Sequence, residues 1–417
     1  MGYPSFDEVI EKLKIEKINK EAWSDLWDES QSRFSPNAFF FTKEFILEQN
    51  TFLNLIDQVL DVIFKALDMI KEDEYLARFA YHMHYVIFEK QYKPNETLAV
   101  WPDVKNITKD LTGGFDGIVY ISGIDLIKNK FTKHNIDNKY LKHTLWDLME
   151  KYYRYHDAYG IWYVDCQNWM CRIFKGVFVN IGRLQYELYV NNNFKMYRNN
   201  INNSTVAFFV KNTMIRKDGL IDGTCGVTDT EAFETTFLET DDIVEGYPII
   251  PTGFVSNKKV TLHKNEWKNI LNTGDKMLNI HIPRRGKMPF DEIVKSLRDA
   301  IPFYKKHFPD EQCKAFLCGS WLLGNGLELL LDENSNIIKF QREFYLAPAK
   351  SDSGATKFFV FGKYDITGIE PKTTLEKNIV EFEKKGIYMY NGYGVILFED
   401  ADRYGSHFYR NSYLNAN

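Results

Sequence analysis

Residues 276–322 carry the most restrictive pattern in the chain: an apolar strand (KMLNIHI, 276–282), a basic loop from Pro283 to Lys287, an amphipathic helix, and a second apolar strand (KAFLCGSWL, 314–322). Strand, helix and strand in that order predict a β-α-β unit, whose two strands are joined by a right-handed crossover. The helix is read from Phe290, Ile293, Val294, Leu297, Ile301, Tyr304 and Phe308, which recur at helical steps. Pro289 suits a first turn, Asp291 and Glu292 follow in that turn, and Lys305, Lys306 and His307 close the last. Pro302 removes one backbone donor and predicts a kink. The second strand is too apolar for an exposed edge and is expected inside a sheet.

Upstream, from about residue 5 to 158, the apolar spacing is helical. Phe45 to Leu67 predicts one long amphipathic helix, Tyr75 to Phe88 a second, and Asn138 to Tyr159 a third. Gly113, Gly114, Gly117 and Gly123 are read as turns in a segment without a clear period. After Gly160 the spacing shortens to about two residues. Met170 to Asn180, Ile181 to Val190 and Thr205 to Arg216 are predicted as strands, with a hairpin turn at Lys217, Asp218 and Gly219. The change of period places a boundary near 158–165, giving a helical region 1–160 and a sheet region 161–417, an α+β chain.

Composition narrows the partners. Lys+Arg 52 against Asp+Glu 57 leaves a formal charge of −5, so no global cationic field favours nucleic acid. No apolar run is long enough to span a bilayer, and MGYPSFDEVIEKLK becomes charged too early for a signal peptide. Phe6 stands where a myristoylation signal wants Ser or Thr. A cytoplasmic protein without membrane contact is expected, its five cysteines reduced.

The basic loop has two readings. Arg284, Arg285 and Lys287, with the free amides of the following helix start and close backbone approach at Gly286, can bind an anion such as a diphosphate. Alternatively the loop is a solvated basic turn balanced by Asp291 and Glu292.

Five segments together resemble a known family: IGRLQYE (181–187), DKMLNIHIP (275–283), KHFP (306–309), FLCGSWLL (316–323) and NSNIIKF (334–340). They resemble two-domain bacterial acyltransferase-like proteins that pair a helical N-terminal domain with a C-terminal domain of the GNAT type, the acyl-coenzyme A dependent N-acyltransferase fold. The resemblance implies a mixed β-sheet with flanking helices, acetyl-CoA or another acyl-CoA as co-substrate, no metal, and a small-molecule or peptide amine as acceptor. It implies that the strand from Leu278 through Ile280 to Ile282 pairs with the pantetheine arm. The loop Arg284, Arg285, Gly286, Lys287 and Met288 would then hold the diphosphate. Only Gly286 fits the usual GNAT loop pattern, so the arginines would replace amide contacts by charge.

Acyl transfer needs a base for the amine proton and an acid for the thiolate. Strand alternation in IGRLQYE sets Arg183, Gln185 and Glu187 on one face and Leu184, Tyr186 and Leu188 on the other. Glu187 is the candidate base, and Arg183 either anchors an acidic substrate or pairs with Glu187. The competing reading is a structural Arg–Glu pair. His281 points opposite to Ile280 and Ile282 and is a candidate for contact near the acyl group; a satisfied core histidine is the alternative. Cys318 and Ser320 share a face of the next strand. Ser320 joins the candidate catalytic set, whereas Cys318 has no neighbouring cation to make it a nucleophile and reads as a small core residue.

The cysteine pairs Cys166/Cys171 and Cys313/Cys318 have loose spacing and opposite faces, which argues against zinc. His82 and His84 diverge on their helix, against a shared metal. Two alternatives to an acyl-CoA-dependent enzyme remain from this reading: a non-catalytic ligand-binding or regulatory protein, and acyl transfer from a carrier protein or aminoacyl-tRNA docked on the two arginines.

Overall fold

The computed structural model describes residues 2–91, 101–284 and 286–414. The chain forms two compact units, Met1–Asn180 with Pro283–Arg285, and Ile181–Ile282 with Gly286–Asn417.

The first unit is helical. The segment expected as one long helix is two, α1 (Lys43–Leu53) and α2 (Asp57–Glu72). Asn54 ends α1 in the left-handed conformation, φ 56°, and the Asn50 side chain accepts the Leu55 amide at 2.6 Å. Asparagine tolerates that conformation, so the apolar stripe continues across a break that periodicity does not register. Asp73 caps α3 (Glu74–His84), which runs on into a π-helical turn, Tyr85–Glu89.

Of the glycines expected as turns, Gly113, Gly114 and Gly117 lie instead in α4 (Thr112–Ser122), a helix buried along its whole length, and Gly123 makes the turn that ends it. A Cβ at Gly113 would strike the Trp162 carbonyl, and one at Gly114 the Val62 carbonyl. These glycines let backbone approach backbone. The third expected helix is α5 (Asn138–Leu145) and α6 (Asp147–Tyr159), separated at Trp146. Met170 to Asn180, expected as one strand, begins in α7 (Gln167–Phe174) and becomes strand only at Phe178. Met170, Cys171, Ile173 and Phe174 are its buried side, and four apolar residues in five suit a buried strand equally well. The helical run therefore extends past residue 160, and the division between units falls within β1 (Phe178–Ile181).

In the second unit five strands follow in the spatial order β2 (Leu184–Val190), β3 (Lys276–His281), β4 (Ala315–Ser320), β6 (Gly392–Leu397), β5 (Tyr345–Pro348). β3 and β4 are parallel and the other neighbours antiparallel. The crossover between the parallel pair is α8 (Phe290–His307), as the sequence predicts. It stays one helix through Pro302, which is exposed, so water can serve the Arg298 carbonyl that loses its donor. The expected strand Thr205 to Arg216 is shorter, Thr205–Phe209 and then Met214–Ile215, with the tight turn at Gly219 in place. Thr205–Phe209 lies in a second, five-stranded sheet, held to β5 by the Tyr345 hydroxyl, which meets the Ala207 amide at 3.1 Å.

Ser296 locks α8 onto the sheet. Its hydroxyl donates to the Ile181 carbonyl and accepts the Leu184 amide at 3.3 Å. With its one proton committed, the Tyr186 hydroxyl 2.8 Å away must be the donor to it. Tyr186, Phe316 and Tyr304 pack together on this face. Among the described residues no helix is long and apolar enough to cross a membrane.

Candidate active site

Register decides which side chains meet. β2 and β3 pair with Glu187 opposite Asn279 and Gln185 opposite His281, so these four polar residues share one face of the sheet. Tyr186, Leu278 and Ile280 point to the other face, toward α8. His281 Nε2 lies 2.9 Å from Glu187 Oε2, and Asn279 Nδ2 lies 3.2 Å from the same nitrogen. The Glu187 and His281 side chains are 16% and 21% exposed, open to a dissolved substrate yet partly desolvated.

Two protonation patterns satisfy the trio. With the proton on Nε2, His281 donates to Glu187 and the Asn279 amide presents its oxygen; with Nε2 bare, it accepts from Asn279 and the proton resides on Glu187. The proton can therefore sit on either partner of the pair, with the Asn279 amide turned to suit. Sequence alternation placed Glu187 and His281 separately, but Asn279 was missed; its two-residue offset from His281 was the available signal.

Beside this pair the parallel strands part. The recorded β3–β4 register ends at Asn279↔Leu317, although β3 continues to His281, still paired to β2, and β4 to Ser320, still paired to β6. Gly319 lies on the same face just past the parting, opposite Tyr393 of β6. A Cβ there would press on the Tyr393 ring at 3.1 Å. Tyr393, also missed from sequence, thus stands on the face that bears Glu187.

Cys318 and Ser320 do not join it. The pairing Leu278↔Phe316 puts Phe316, Cys318 and Ser320 with Leu278 and Ile280 on the opposite face. Ser320 caps the turn after β4, its Oγ accepting the Leu322 amide at 3.2 Å. Burial pushes the Cys318 thiol up to about 12, so it is not a thiolate at neutral pH.

Arg183 is also displaced from its expected place. It sits in the turn before β2, buried, and its Nε donates to the Lys287 carbonyl at 3.2 Å. Burial lowers its pKa from the usual range, against the opposing pull of Glu292. The residue expected to anchor substrate or pair with Glu187 instead holds the main chain ahead of α8. In that loop Gly286 adopts φ 68°, and Gly286 and Lys287 are exposed, with Met288 half-buried. Pro289 precedes α8 without a side-chain cap to its first turn. Arg284, in the first unit, is exposed, and Arg285 lies outside the described residues. Leu278 and Ile280 are buried in the sheet and Ile282 is half-buried beyond its end.

Among the described residues no group of three or more His, Cys, Asp or Glu side chains could hold a metal. His82 lies between the Ser30 hydroxyl and the Trp23 carbonyl, each at 2.7 Å, and His84 Nδ1 meets the Ser122 hydroxyl at 2.7 Å. Both are core histidines, and burial lowers each to about 4.

A parallel pair that separates beside a polar face, followed by a loop and a long helix, defines an acyltransferase fold of GNAT type. Family models agree: residues 48–176 match the N-acyltransferase N-terminal domain and residues 178–396 the GNAT-like C-terminal domain. The chain belongs to this two-domain N-acyltransferase family. Solved structures share the fold at low identity. An acyltransferase variant in complex with octanoyl-CoA is 17% identical with a TM-score of 0.62, covering 94% of this chain and 98% of that one. An acyltransferase in complex with decanoyl-CoA is 18% identical with a TM-score of 0.61, covering 94% and 99%. Another, in complex with decanoyl-CoA and teicoplanin, is 17% identical with a TM-score of 0.62, also covering 94% and 99%. A search of curated proteins gives no match.

Proposed function

We propose that this chain transfers an acyl group from an acyl-coenzyme A thioester directly to the amine of a small molecule, with Glu187 and His281 together accepting the amine proton. The observation that carries the reading is the Glu187–His281 contact of 2.9 Å beside the parting of β3 and β4.

The β3–β4 register runs to Asn279↔Leu317 while both strands continue on their outer partners, and an extended pantetheine arm with its own amides suits the place where they diverge. Its diphosphate would meet the uncapped start of α8, where Gly286 and Lys287 lead into the helix and Arg183 steadies the Lys287 carbonyl. The amine nitrogen attacks the thioester carbonyl carbon on the polar face. The N–C bond forms, the C–S bond breaks, one N–H proton passes to the Glu187–His281 pair, and the thiolate takes a proton from solvent. The similar structures with octanoyl-CoA, decanoyl-CoA and teicoplanin support a medium-chain donor and a small-molecule acceptor.

Calorimetry with acetyl-, octanoyl- and decanoyl-CoA, paired with turnover assays over a panel of amines, tests the reading. Binding with turnover that Glu187→Gln abolishes is the expected result. Absence of heat with every thioester overturns it, and binding without turnover reassigns the chain to ligand binding.

A further inference from the structure

Two tyrosines border the Glu187–His281 pair on its own face of the sheet. Tyr189 stands on β2 two residues beyond Glu187 and opposite Met277, and Tyr393 stands on β6 opposite Gly319. We infer that Tyr393, bounded by Tyr189, is a specificity residue for the acceptor and selects amines that carry a flat aromatic group next to the nitrogen, a benzylic amine being the simplest. The inference rests on the thioester reading above and adds to it the class of acceptor.

Direction comes first. An attacking amine turns its lone pair to the carbonyl carbon and one N–H to the base, so its carbon substituent points away from both. In that reading the carbonyl sits where β3 and β4 diverge, and the base lies on β2 and β3. The direction left open on this face runs over β4 toward β6. Gly319 has no side chain to meet the substituent there, and Tyr393 is the side chain beside it.

The packing of Tyr393 suits a ring that receives another. Gly319 is exposed, and a Cβ on it would lie 3.1 and 3.3 Å from two adjacent carbons of the Tyr393 ring, with the other ring atoms beyond 4 Å. An edge of the ring, not a face, therefore meets β4, and a glycine is what allows that edge so close. Phe316, on the opposite face of β4, has Tyr186 and Phe398 packed against it. Among the described residues no other ring packs on Tyr393, which is half-buried. Its faces can take a flat group in an offset or edge-to-face contact, which gains beyond the area it buries.

Tyr189 bounds the same space and is also half-buried. Burial raises its phenol, and Tyr393 and Glu187 are both near enough to raise it further. Met277 and Leu317, on this face between β2 and β6, are buried and give an apolar floor.

The test measures kcat/KM for benzylamine and for cyclohexylmethylamine, which is similar in size but not flat, on the full chain. The donor is whichever of acetyl-, octanoyl- and decanoyl-CoA binds best. In Tyr393→Leu the ratio of the two amines should fall about fivefold from its wild-type value, the worth of one ring pair. Comparing variants cancels the difference in amine basicity. Thioester affinity by calorimetry should stay constant, which also reports folding, and Tyr393→Phe should restore the ratio because the ring is kept. Gly319→Ala pushes on the ring edge and should lower the ratio as well, and it decides the matter if Tyr393→Leu does not fold. A ratio unchanged in both variants overturns the inference. A fall in Tyr393→Phe equal to that in Tyr393→Leu overturns it too, by assigning the effect to the hydroxyl. Thioester binding with neither amine acylated by the wild type overturns it while leaving the thioester reading to other amines. No binding of any of the three thioesters removes that reading, and this one with it.

Discussion

His281 contacts Glu187 diagonally: the register seats His281 across from Gln185, yet its Nε2 reaches Oε2 of Glu187, 2.9 Å away and 94 residues earlier in the chain. A diagonal contact leaves both partners leaning along the sheet toward the place where β3 loses β4. Replacing Glu187 by Gln keeps the shape and removes the charge. Turnover should fall on the order of 10²–10⁴-fold, as for loss of a general base, while thioester affinity measured by calorimetry changes little. His281→Ala should cost a similar factor, and the double variant no more than the worse single one, because the two share one proton. Strictly multiplicative losses would mean that they act separately.

Arg183→Ala frees the Lys287 carbonyl and should loosen the turn ahead of α8. The expected signature is a rise of about tenfold in thioester KM with kcat nearly preserved, the worth of one charge-assisted hydrogen bond. A melting curve run alongside separates this from general destabilisation. A fall in kcat at unchanged KM would instead place Arg183 near the reacting atoms.

Cys318 is a core thiol. Held near 12, it should resist alkylation at pH 8 in the folded chain and react only on denaturation, read by mass spectrometry. Cys318→Ala should retain turnover within a few-fold, a loss attributable to packing. Inactivation with retained thioester binding would revive a covalent route.

Stability should decline on mild acidification through His82 and His84. Both have folded pKa values of about 4 against 6.5 for the free side chain. The unfolded state therefore binds more protons between these values, so stability is fully present above about 6.5 and is lost as the pH falls toward 4. The ceiling is on the order of 3 kcal/mol per histidine. Urea titrations at pH 7.5, 6 and 5 read the slope, and a His82→Asn/His84→Asn variant should flatten it from a lower starting stability.

Gly114→Ala tests the close packing of α4. An added methyl meets the Val62 carbonyl, a backbone group that cannot swing aside. A loss of more than about 2 kcal/mol is expected by thermal or urea unfolding, at the upper end for overpacking. Gly160→Ala, at the left-handed end of α6 with open space around it, should cost less.

The β-α-β unit was legible because both its periods and its end signals agree: apolar strands on either side, Pro289 before the helix, charges of the right sign at each helix end. The faces of β2 were legible for the same reason. What alternation cannot supply is register, and register is what joined Glu187 to His281 and sent Cys318 and Ser320 to the far face. Arg183 was misread because a turn at Gly182 interrupts the alternation one residue earlier than the apolar pattern shows. In the helical unit the errors have one source. Asn54, Trp146 and the α4 glycines change direction or separation of helices without disturbing hydrophobic content, and in α7 four apolar residues in five suit a buried strand as well as a helix.

Ser296 has one further implication. Because its single hydroxyl is saturated by Ile181, Leu184 and Tyr186, a slip of β2 by one residue would orphan three buried groups at once while turning Glu187 inward and Tyr186 out. The seat of Glu187, the proposed base, is thus enforced from behind the sheet by a serine on the opposite face, and changes at position 296 should be read out as altered chemistry on the Glu187 side.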